Sequence, residues 1–586
     1  MRIAVVLEDK CQPKRCSYEC INYCPRVRTG DETITKTEGG IKISEELCSG
    51  CGICVDKCPF DAIKIINLPE ELDTDLIHQF GENSFRLYRL PVPEEGQVIG
   101  LLGANGIGKT TAIRILSGDI KPNLGKYEED VSLDHVLDKY SGTALGDYFS
   151  KLDTQKYETS LKPQYVDKIP AHFSGKVEDL LSGVGDDYMR WVETLNIENT
   201  LDSSVKNLSG GELQRVAIAA SSTNEADIYF YDEPSSYLDI KQRLNVAKAI
   251  REKSKDSQVM VIEHDLAVLD FLADNIHILY GSRGAYGVVT HPKGVRKAIN
   301  TYLHGFLQEE NIRFRNADIE FEKHAPKKEW HSNPLIEYDK LVKEWDSFKL
   351  ETEKGEIPEG EVVGVVGPNA TGKTTFVKML ADVIEPTEGN IEKKINVSYK
   401  PQYIKADYRG RVMDLYNTEI SETFHSSFFE SEVIKPLELE ELLEREVMNL
   451  SGGELQRAVI ALCLGRNADL YLIDEPSAYL DASRRMDAAK VIRRFMEKTD
   501  KAGMIVDHDV YFIDYVSDLI MNFNGIPGEH GYGKGPFEMR EGMNNFLKEL
   551  EITFRRDAET NRPRVNKLNS RLDRKQKSEG EYYYSK

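Results

Sequence analysis

The sequence predicts an α/β protein built from two tandem copies of one phosphate-binding domain, preceded by a small cysteine-rich α+β domain. Three observations predict it. Five landmarks recur in one order over residues 98–281 and again over 362–525. Each copy opens with an apolar run that enters Gly-x4-Gly-Lys-Thr. Eight of the nine cysteines lie before residue 60.

The 586 residues suit three to five domains at roughly 100–200 residues each. With 40% hydrophobic and 30% charged residues, the chain can build large cores, which excludes a disordered polymer. The formal net charge of −22, from 76 basic and 98 acidic residues, excludes a general nucleic-acid coat. Contact with nucleic acid must come from local patches. No apolar run approaches the roughly 18–20 residues that cross a bilayer. The opening Met1-Arg-Ile-Ala-Val-Val-Leu7 is too short for a signal-peptide core and reads as a strand. The expectation is a soluble cytoplasmic protein without membrane contact.

The repeat is dense. Gly103-Ala-Asn-Gly-Ile-Gly-Lys109-Thr110-Thr111 matches Gly367-Pro-Asn-Ala-Thr-Gly-Lys373-Thr374-Thr375. Lys162-Pro-Gln164-Tyr matches Lys400-Pro-Gln402-Tyr. Leu208-Ser-Gly-Gly-Glu-Leu-Gln-Arg215 matches Leu450-Ser-Gly-Gly-Glu-Leu-Gln-Arg457. Tyr231-Asp-Glu-Pro-Ser-Ser-Tyr-Leu-Asp239 matches Ile473-Asp-Glu-Pro-Ser-Ala-Tyr-Leu-Asp481. Glu263-His264-Asp265 matches Asp507-His508-Asp509. The signature serine precedes the strand-end aspartate by 23 residues in both copies. This is a tandem duplication.

The chemistry follows from residue types. Val98-Ile-Gly-Leu-Leu suits a buried parallel strand, and a helix opens at Thr110. Glycines let backbone N–H groups close on phosphate oxygens, and the helix N-terminus adds positive charge. The ATP contacts expected in the first copy are Gly103, Asn105, Gly106, Gly108, Lys109, Thr110 and Thr111. In the second they are Gly367, Asn369, Gly372, Lys373, Thr374 and Thr375. Lys109 and Lys373 reach the terminal phosphates; Thr110 and Thr374 ligate Mg²⁺. The strands Ile228–Asp232 and Leu470–Asp474 end in two carboxylates each. Asp232 and Asp474 suit the Mg²⁺ shell, and Glu233 and Glu475 lie where they can polarise an attacking water. His264 and His508 each follow an apolar strand and suit a γ-phosphate contact. Ser209, Gly210 and Gly211, like Ser451, Gly452 and Gly453, open a helix and offer a second anion-binding terminus.

Leu-Ser-Gly-Gly-Glu-Leu-Gln narrows the class, and with the other landmarks it resembles the ATP-binding cassette superfamily. That resemblance implies a head-to-tail pair. The loop of Lys109 faces Ser451, the loop of Lys373 faces Ser209, and two Mg²⁺–ATP lie between the copies. It also makes Gln164 and Gln402 the residues that couple γ-phosphate and Mg²⁺ to lobe rotation. Ala370 departs from the pattern, standing where Gly106 stands in the first copy; its Cβ would tighten or distort the loop. Phe80 or Phe85, and Trp345 or Phe348, lie the right distance upstream to stack on adenine, with core packing as the alternative. Cys463, in an apolar helical stretch, reads as a buried small hydrophobe.

Cys48-x2-Cys51-x2-Cys54-x3-Cys58-Pro59 has the spacing of a bacterial ferredoxin run. Cys11-x4-Cys16-x3-Cys20-x3-Cys24-Pro25 is wider but ends the same way. Exchanging the fourth ligands puts Cys48, Cys51, Cys54 and Cys24 on one [4Fe–4S] cluster and Cys11, Cys16, Cys20 and Cys58 on the other. Thiolate-bound zinc is the alternative.

Gly281 to about residue 325, and the Gly- and Pro-rich stretch from about Asn524, read as linkers. Each leads to an amphipathic segment, Val295 to Leu303 and Met543 to Leu550, expected to be a hinge or brace between the copies. Each then ends in a basic-aromatic stretch, Ile312-Arg-Phe-Arg315 or Ile552-Thr-Phe-Arg-Arg556.

Taken together, the cysteine domain, the twin cassettes without membrane spans and the paired hinges resemble ATP-binding cassette subfamily E, the RNase L inhibitor family of ribosome-recycling ATPases, along essentially the whole chain. The motifs that carry the likeness are Asp9-Lys-Cys11-x-Pro13-Lys-x-Cys16, Glu-Pro-Ser-Ser-Tyr-Leu-Asp with Glu-Pro-Ser-Ala-Tyr-Leu-Asp, and Glu263-His-Asp-Leu-Ala-Val-Leu-Asp270. Ser209 follows Lys109 by 100 residues whereas Ser451 follows Lys373 by 78, so the first copy carries an insertion at about 133–152. The family has a helix-loop-helix there that touches the small ribosomal subunit. The expected domains are a ferredoxin-like domain 1–75, cassette 1 76–290, hinge 1 291–330, cassette 2 331–525, and hinge 2 with a basic C-terminal segment 526–586. The resemblance implies ATP-driven splitting of ribosomes with a release factor or a Pelota-like partner, and initiation factors as further partners. From Arg555 to Lys577 nine basic and three acidic residues form a segment able to meet rRNA phosphates, or else a solvated tail. Other readings are a redox-coupled ATPase that passes electrons through the clusters, a nucleotide-switched regulator and a transporter subunit.

Overall fold

The computed structural model describes residues 2–8, 10–37, 39–67, 70–315, 318–319, 321, 334–392, 395–402, 406 and 408–583. Asp9 of the first cysteine motif, Tyr403 after Gln402, most of the second half of hinge 1 and the boundary at 330/331 lie outside the described residues.

The chain forms two compact units. Unit 1 holds residues 1–234, 249–264 and 273–316; unit 2 holds 235–248, 265–272 and 317–586. Unit 1 begins with the cysteine domain. Strand Arg2–Val6 pairs antiparallel with Ile63–Asn67, and Ile34–Lys36 pairs with Ile41–Ile43. Short helices Glu19–Asn22, Pro25–Arg28 and Ile53–Lys57 carry or adjoin the cysteines. Pro25 supplies the first helical residue after Cys24, a place where its missing N–H costs nothing.

The cassette sheet follows at Leu76. Its parallel centre runs Thr159–Lys162, Ile228–Asp232, Gln258–Ile262, Val98–Leu102, Asn275–Ser282. Unit 2 repeats the order with Val397–Lys400, Leu470–Asp474, Ala502–Val506, Val362–Val366, Leu519–Ile526. Every residue of Val98–Leu102, Ile228–Asp232, Val362–Val366 and Leu470–Asp474 is buried, as parallel strands covered on both faces require. The phosphate loops, strand-end carboxylates and histidines therefore gather at the carboxyl ends of the strands, where open α/β sheets bind ligands. The insertion consists of helices Leu133–Lys139 and Ala144–Asp153.

Three expectations are corrected. The Gly- and Pro-rich stretches are not linkers: Asn275–Ser282 pairs with Tyr286–Val289, and Leu519–Ile526 with His530–Glu538. Their glycines serve close packing, since a Cβ at Gly287 would stand 1.8 Å from the Ile107 carbonyl oxygen and one at Gly531 2.0 Å from that of Thr371. Both oxygens belong to phosphate loops, so these hairpins floor the loops, and the 525/526 boundary falls inside a strand. Second, the amphipathic helices Val295–His304 and Met539–Glu549 each dock on their own copy. Their apolar faces (Ala298, Ile299, Tyr302, Leu303; Met543, Phe546, Leu547) are buried, and the helices pack on strands Asn275–Ser282 and Leu519–Ile526 of their own copies. Third, the basic C-terminal segment is not wholly available to RNA. Arg556, Arg562 and Arg564 are consumed in internal ion pairs, and Lys567, Arg571, Arg574 and Lys575 remain exposed.

Candidate functional site: paired nucleotide sites and a thiol-lined cavity

Helices Lys109–Leu116 and Lys373–Leu380 start from Gly108 and Gly372, both at φ +94°. A Cβ at Gly108 would meet Phe85 at 2.7 Å, and one at Gly372 would meet Leu350 at 2.8 Å and Phe348 at 3.2 Å. Phe85 and Phe348 thus pack beneath the loops, while Phe80 and Trp345 are 53% and 43% exposed and remain able to stack on a base. Lys109 Nζ donates to the Gly103 and Ala104 carbonyls at 2.9 and 2.7 Å, and Lys373 Nζ to those of Gly367 and Pro368 at 2.9 and 2.5 Å. Burial lowers the Lys373 ammonium to about 8. Phosphate oxygens would restore full charge pairing to both lysines.

Ala370 adopts φ +57° beside +75° for Gly106. Its carbonyl accepts from Gly528 N at 3.0 Å as that of Gly106 does from Gly284 N at 2.9 Å. The second loop therefore keeps its shape, and the Cβ there costs about 1–2 kcal/mol of left-handed strain. The expected distortion is absent.

Thr110 Oγ1 donates to Asp232 Oδ2 at 2.7 Å, and Thr374 Oγ1 to Asp474 Oδ2 at 2.8 Å. Oδ1 of both aspartates is buried without a hydrogen-bond partner. Burial pushes both carboxyls up to about 6. An unpartnered carboxylate oxygen beside a threonine hydroxyl at a phosphate loop fits Mg²⁺ at each site. Gln164 Nε2 donates to Glu233 Oε1 at 2.7 Å, and Gln402 Nε2 to Glu475 Oε1 at 2.6 Å. Nε2 of His264 and His508 stands 3.4 and 3.5 Å from the same oxygens. Burial would raise the Glu475 carboxyl, but His508, Lys373 and Arg243 outweigh it and hold it below the ordinary glutamate value. Glu233 and Glu475 sit at φ +49° and +47°, a strained setting repeated in both copies.

Ser209 and Ser451 cap helices Gly210–Thr223 and Gly452–Gly465 through reciprocal bonds with Glu212 and Glu454. Gly211 and Gly453 lie in the first turns, with Gly210 and Gly452 leading them. Cys463 is buried, with Sγ 3.2 Å from Ser398 Oγ. Within unit 2, Asn369 N of the second phosphate loop donates to Asp239 Oδ2 of the first copy at 2.9 Å. A segment just past the first copy's Glu233 thus reaches the second copy's phosphate loop.

Cys11, Cys16, Cys20 and Cys58 line one cavity with Gln12, Pro13, Ile41, Pro59 and Ile63. A Cβ at Gly40 would meet Cys11 Sγ at 3.3 Å, so that glycine leaves the thiol its room. Burial raises Cys20 to about 11, with Cys58, Cys16 and Cys11 adding repulsion between thiolates. Burial likewise raises Cys54 to about 12, with Cys48, Cys51, Cys24 and, last, Cys20 adding to it. Cys58 of the second run thus shares a cavity with the first three cysteines of the first run. Among the described residues, no three His, Cys, Asp or Glu side chains converge closely enough to hold a single ion. Tetrahedral zinc needs thiolates about 2.3 Å from one centre; a four-iron cubane spreads its thiolates around a larger cavity, and the apolar lining fits it.

The family model described as "ABC transporter" matches residues 93–236 and 350–478. "Possible Fer4-like domain in RNase L inhibitor, RLI" matches 1–32, and "4Fe-4S binding domain" matches 41–64. An uncharacterized ABC transporter ATP-binding protein of Methanocaldococcus jannaschii is 53% identical over 100% of this chain and 98% of its own length. A structure described as ribosome-bound archaeal Pelota and ABCE1 superposes with TM-score 0.92 at 51% identity, covering 100% of this chain and 99% of that one. The chain belongs to the ABCE1 family. A further structure, of the archaeal ribosomal stalk protein aP1 with the archaeal ribosome recycling factor aABCE1, covers 88% of this chain and 100% of that one, at TM-score 0.85 and 52% identity. As an ABCE1-family protein the chain is an ATP hydrolase that carries [4Fe–4S] clusters and uses ATP with Mg²⁺. Among the described residues no helix is long and apolar enough to cross a membrane.

Sequence reasoning passed over four supporting residues of this ABCE1-family site. Lys162 Nζ donates to the Asp232 and Glu233 carbonyls at 2.9 and 3.3 Å, and Lys400 Nζ to that of Asp474 at 2.7 Å. Burial lowers both lysines to about 8. Gln214 Nε2 holds the Glu233 carbonyl at 2.8 Å, and Gln456 Nε2 holds that of Glu475 at 2.7 Å. All four stand inside repeated motifs, Lys-Pro-Gln and Gly-Glu-Leu-Gln, and repetition was the signal.

Proposed function

We propose that this chain is an ATP-driven, cytoplasmic ribosome recycling factor that splits post-termination or stalled ribosomes with a release factor or a Pelota-like partner. One structural link carries the reading: the cysteine domain rests on the turn that supports the first phosphate loop. Lys64 Nζ, on strand Ile63–Asn67, donates to the Arg283 carbonyl at 3.2 Å, and the next residue, Gly284, donates to the Gly106 carbonyl of the phosphate loop. A shift of the loop at Gly106 therefore reaches the cysteine domain through two residues, Gly284 and Arg283. The likeness to ribosome-bound archaeal Pelota and ABCE1 supplies the partner class.

The proposed residue roles are these. Glycine-loop amides, Lys109 and Lys373 bind the triphosphate, with the loop of Lys109 completed by Ser451 and that of Lys373 by Ser209. Thr110, Asp232 and Gln164, and likewise Thr374, Asp474 and Gln402, would hold Mg²⁺, which neutralises phosphate charge when bound. Glu233 and Glu475 accept a proton from the attacking water. His264 and His508 orient the γ-phosphate. The two cysteine sets would hold the clusters, which staple a domain too small for a large core. The remaining outlines are a ferredoxin-like domain to residue 75, a first cassette to 290 and a second cassette extended to 538. The test is density-gradient analysis of ribosomes with anaerobically purified protein, ATP and a release factor or Pelota-like protein. Subunits should appear only with ATP and partner together; splitting that tracks reduction potential would favour the redox-coupled ATPase instead.

A further inference from the structure

Pro122-Asn-Leu-Gly125 and Pro386-Thr-Glu-Gly389 are a further landmark of the repeat. Asn123 and Thr387 each stand fourteen residues after a phosphate-loop lysine, Lys109 or Lys373. Both segments return to the strand that leads into an exposed ring. Leu124 N donates to the Ile77 carbonyl at 2.9 Å, on strand Leu76–Gln79 before Phe80. Val342 N, on strand Val342–Glu344 before Trp345, donates to the Glu388 carbonyl at 2.9 Å. The glycines permit this approach. A Cβ at Gly125, φ +86°, would stand 2.6 Å from Leu76 Cδ2, and one at Gly389, φ +91°, 2.3 Å from the Lys340 carbonyl oxygen.

At the end of each strand a side chain holds the residue just before the ring. Asn123 Oδ1 accepts from Gln79 N at 3.0 Å, and its Nδ2 donates to the Gln79 carbonyl at 2.7 Å. Thr387 Oγ1 accepts from Glu344 N at 3.2 Å. Phe80 N donates to the Phe85 carbonyl at 3.3 Å, and Trp345 N to that of Phe348 at 2.9 Å. Each exposed ring is therefore tied on one side to the segment that follows the phosphate-loop helix, and on the other to the phenylalanine beneath the loop. The rings are also backed: His78 meets Phe80 edge-on with centroids 4.7 Å apart, and Lys343 Nζ lies 5.4 Å from the centre of Trp345. The first-copy residues all lie in unit 1 and the second-copy residues in unit 2. A large ring left in water forgoes the gain of burial. Fixing such a ring beforehand serves a ligand, because the ordering is then not charged to binding.

We propose that Asn123 and Thr387 are positioning residues that hold each base-stacking ring at a set place beside its phosphate loop. Each acts through the residue before a ring. The proposal rests on the reading that Phe80 and Trp345 stack on the nucleotide base. The two grips are unequal. Asn123 is half-buried and makes two bonds to Gln79, whereas Thr387 is exposed and makes one to Glu344. The first ring is therefore the more firmly placed.

The test uses the full-length protein with one phosphate loop disabled at a time: Lys373→Ala leaves the first site to be read, and Lys109→Ala the second. The two probes are ATP and inorganic tripolyphosphate, which has no base. Asn123→Ala at the first site and Thr387→Val at the second should weaken ATP by about two- to tenfold, the net worth of a hydrogen bond, with tripolyphosphate unchanged. Phe80→Ala and Trp345→Ala should weaken ATP by about five- to 150-fold, the worth of one base on one aromatic ring, again with tripolyphosphate unchanged. Thr387→Asn offers the second bond of the first copy and should tighten ATP. Trp345 is one of three tryptophans, so its quenching by ATP, identified by its loss in Trp345→Phe, should shrink in Thr387→Val. If the ring variants weaken ATP while Asn123→Ala and Thr387→Val, folded by their melting curves, bind it as before, the positioning roles are wrong and stacking stands. If Asn123→Ala and Thr387→Val weaken tripolyphosphate as much as ATP, the segments shape the phosphate loops and the proposal falls. If the ring variants themselves leave ATP binding unchanged, the stacking reading and the proposal fail together.

Discussion

Gln164 Nε2 bonds Glu233 Oε1 at 2.7 Å, and Gln402 makes the same bond to Glu475 at 2.6 Å. Each glutamine thus holds one of the two oxygens of the carboxylate proposed as general base. Glu233→Gln with Glu475→Gln keeps the size and the backbone support of both residues but removes the proton acceptor. Turnover should drop by about 10²–10⁴-fold, the usual worth of a general base, while ATP binding persists. Steady-state hydrolysis and equilibrium nucleotide binding on one sample check this; rapid turnover by the double variant would refute the assignment.

The two phosphate loops should respond oppositely to one methyl group. Ala370→Gly relieves left-handed strain of about 1–2 kcal/mol and gives back about 0.4–1 kcal/mol through the freer unfolded chain. The second loop should gain slightly. Gly106→Ala adds the same strain and drives a Cβ to 2.7 Å from Arg283 Cγ. Pro527 holds the matching place in the second copy, with no long side chain to displace. Nucleotide titration should show weaker binding for Gly106→Ala and unchanged or tighter binding for Ala370→Gly; equal losses in both would contradict the packing argument.

The phosphate loops, signature helices, strand-end carboxylates and histidines were legible because each combines a backbone constraint with a required side-chain type, and the chain states each twice. The cluster type was legible because the spacing within the cysteine runs reflects cluster geometry. Tertiary context hid the rest. Glycines of 281–294 and 525–536 look like linker residues in one dimension; Gly287 and Gly531 show that they clear space under a phosphate loop. Arg562 and Arg564 look like a basic tail until Asp270, nearly three hundred residues earlier, is seen to neutralise them. Ala370 looked like a defect because local sequence cannot show that Gly528 holds the loop in the same bond as its counterpart.

Cluster ligation can be read by epistasis in iron content. Cys58 lines the cavity of Cys11, Cys16 and Cys20, and exchange of the fourth ligand places Cys24 with Cys48, Cys51 and Cys54. Cys58→Ser and Cys24→Ser should each cost one cluster, about four irons. Adding Cys48→Ser to Cys24→Ser should remove no more iron, whereas adding it to Cys58→Ser should remove about as much again. ATP hydrolysis should remain largely present, since no thiol approaches a phosphate loop among the contacts described. Iron analysis and absorbance decide the partition; the reverse pattern would return Cys24 and Cys58 to the runs in which they stand.

Asn83 offers a test of how the cysteine domain is seated. It is 3% exposed, at φ +55°, in the turn between strands Leu76–Gln79 and Arg86–Tyr88. Its Oδ1 accepts from Ile43 N at 2.8 Å, and its Nδ2 donates to the Ile43 and Ala4 carbonyls at 2.9 and 3.1 Å. Its own carbonyl accepts from Val6 N at 3.0 Å, and nearby Arg86 bonds both oxygens of Glu45 at 2.6 Å. One residue therefore ties two strands of the cysteine domain to a hairpin that also carries Phe80 and Phe85 at the first nucleotide site. Asn83→Ala strands a buried donor and two buried acceptors, at about 1–3 kcal/mol each when left unmet, less whatever water recovers. The cysteine domain should loosen from its seat while the cassettes stay folded. Proteolysis between the domain and the first cassette should speed up, and ATP-dependent splitting should weaken with hydrolysis retained. Asn83→Asp keeps the acceptor but turns a buried carboxylate oxygen toward two carbonyl oxygens, so it should loosen the domain at least as much as Asn83→Ala. If Asn83→Ala leaves the cleavage rate and ribosome splitting at wild-type levels, the seat is held elsewhere, and Arg86 with Glu45 becomes the pair to cut next.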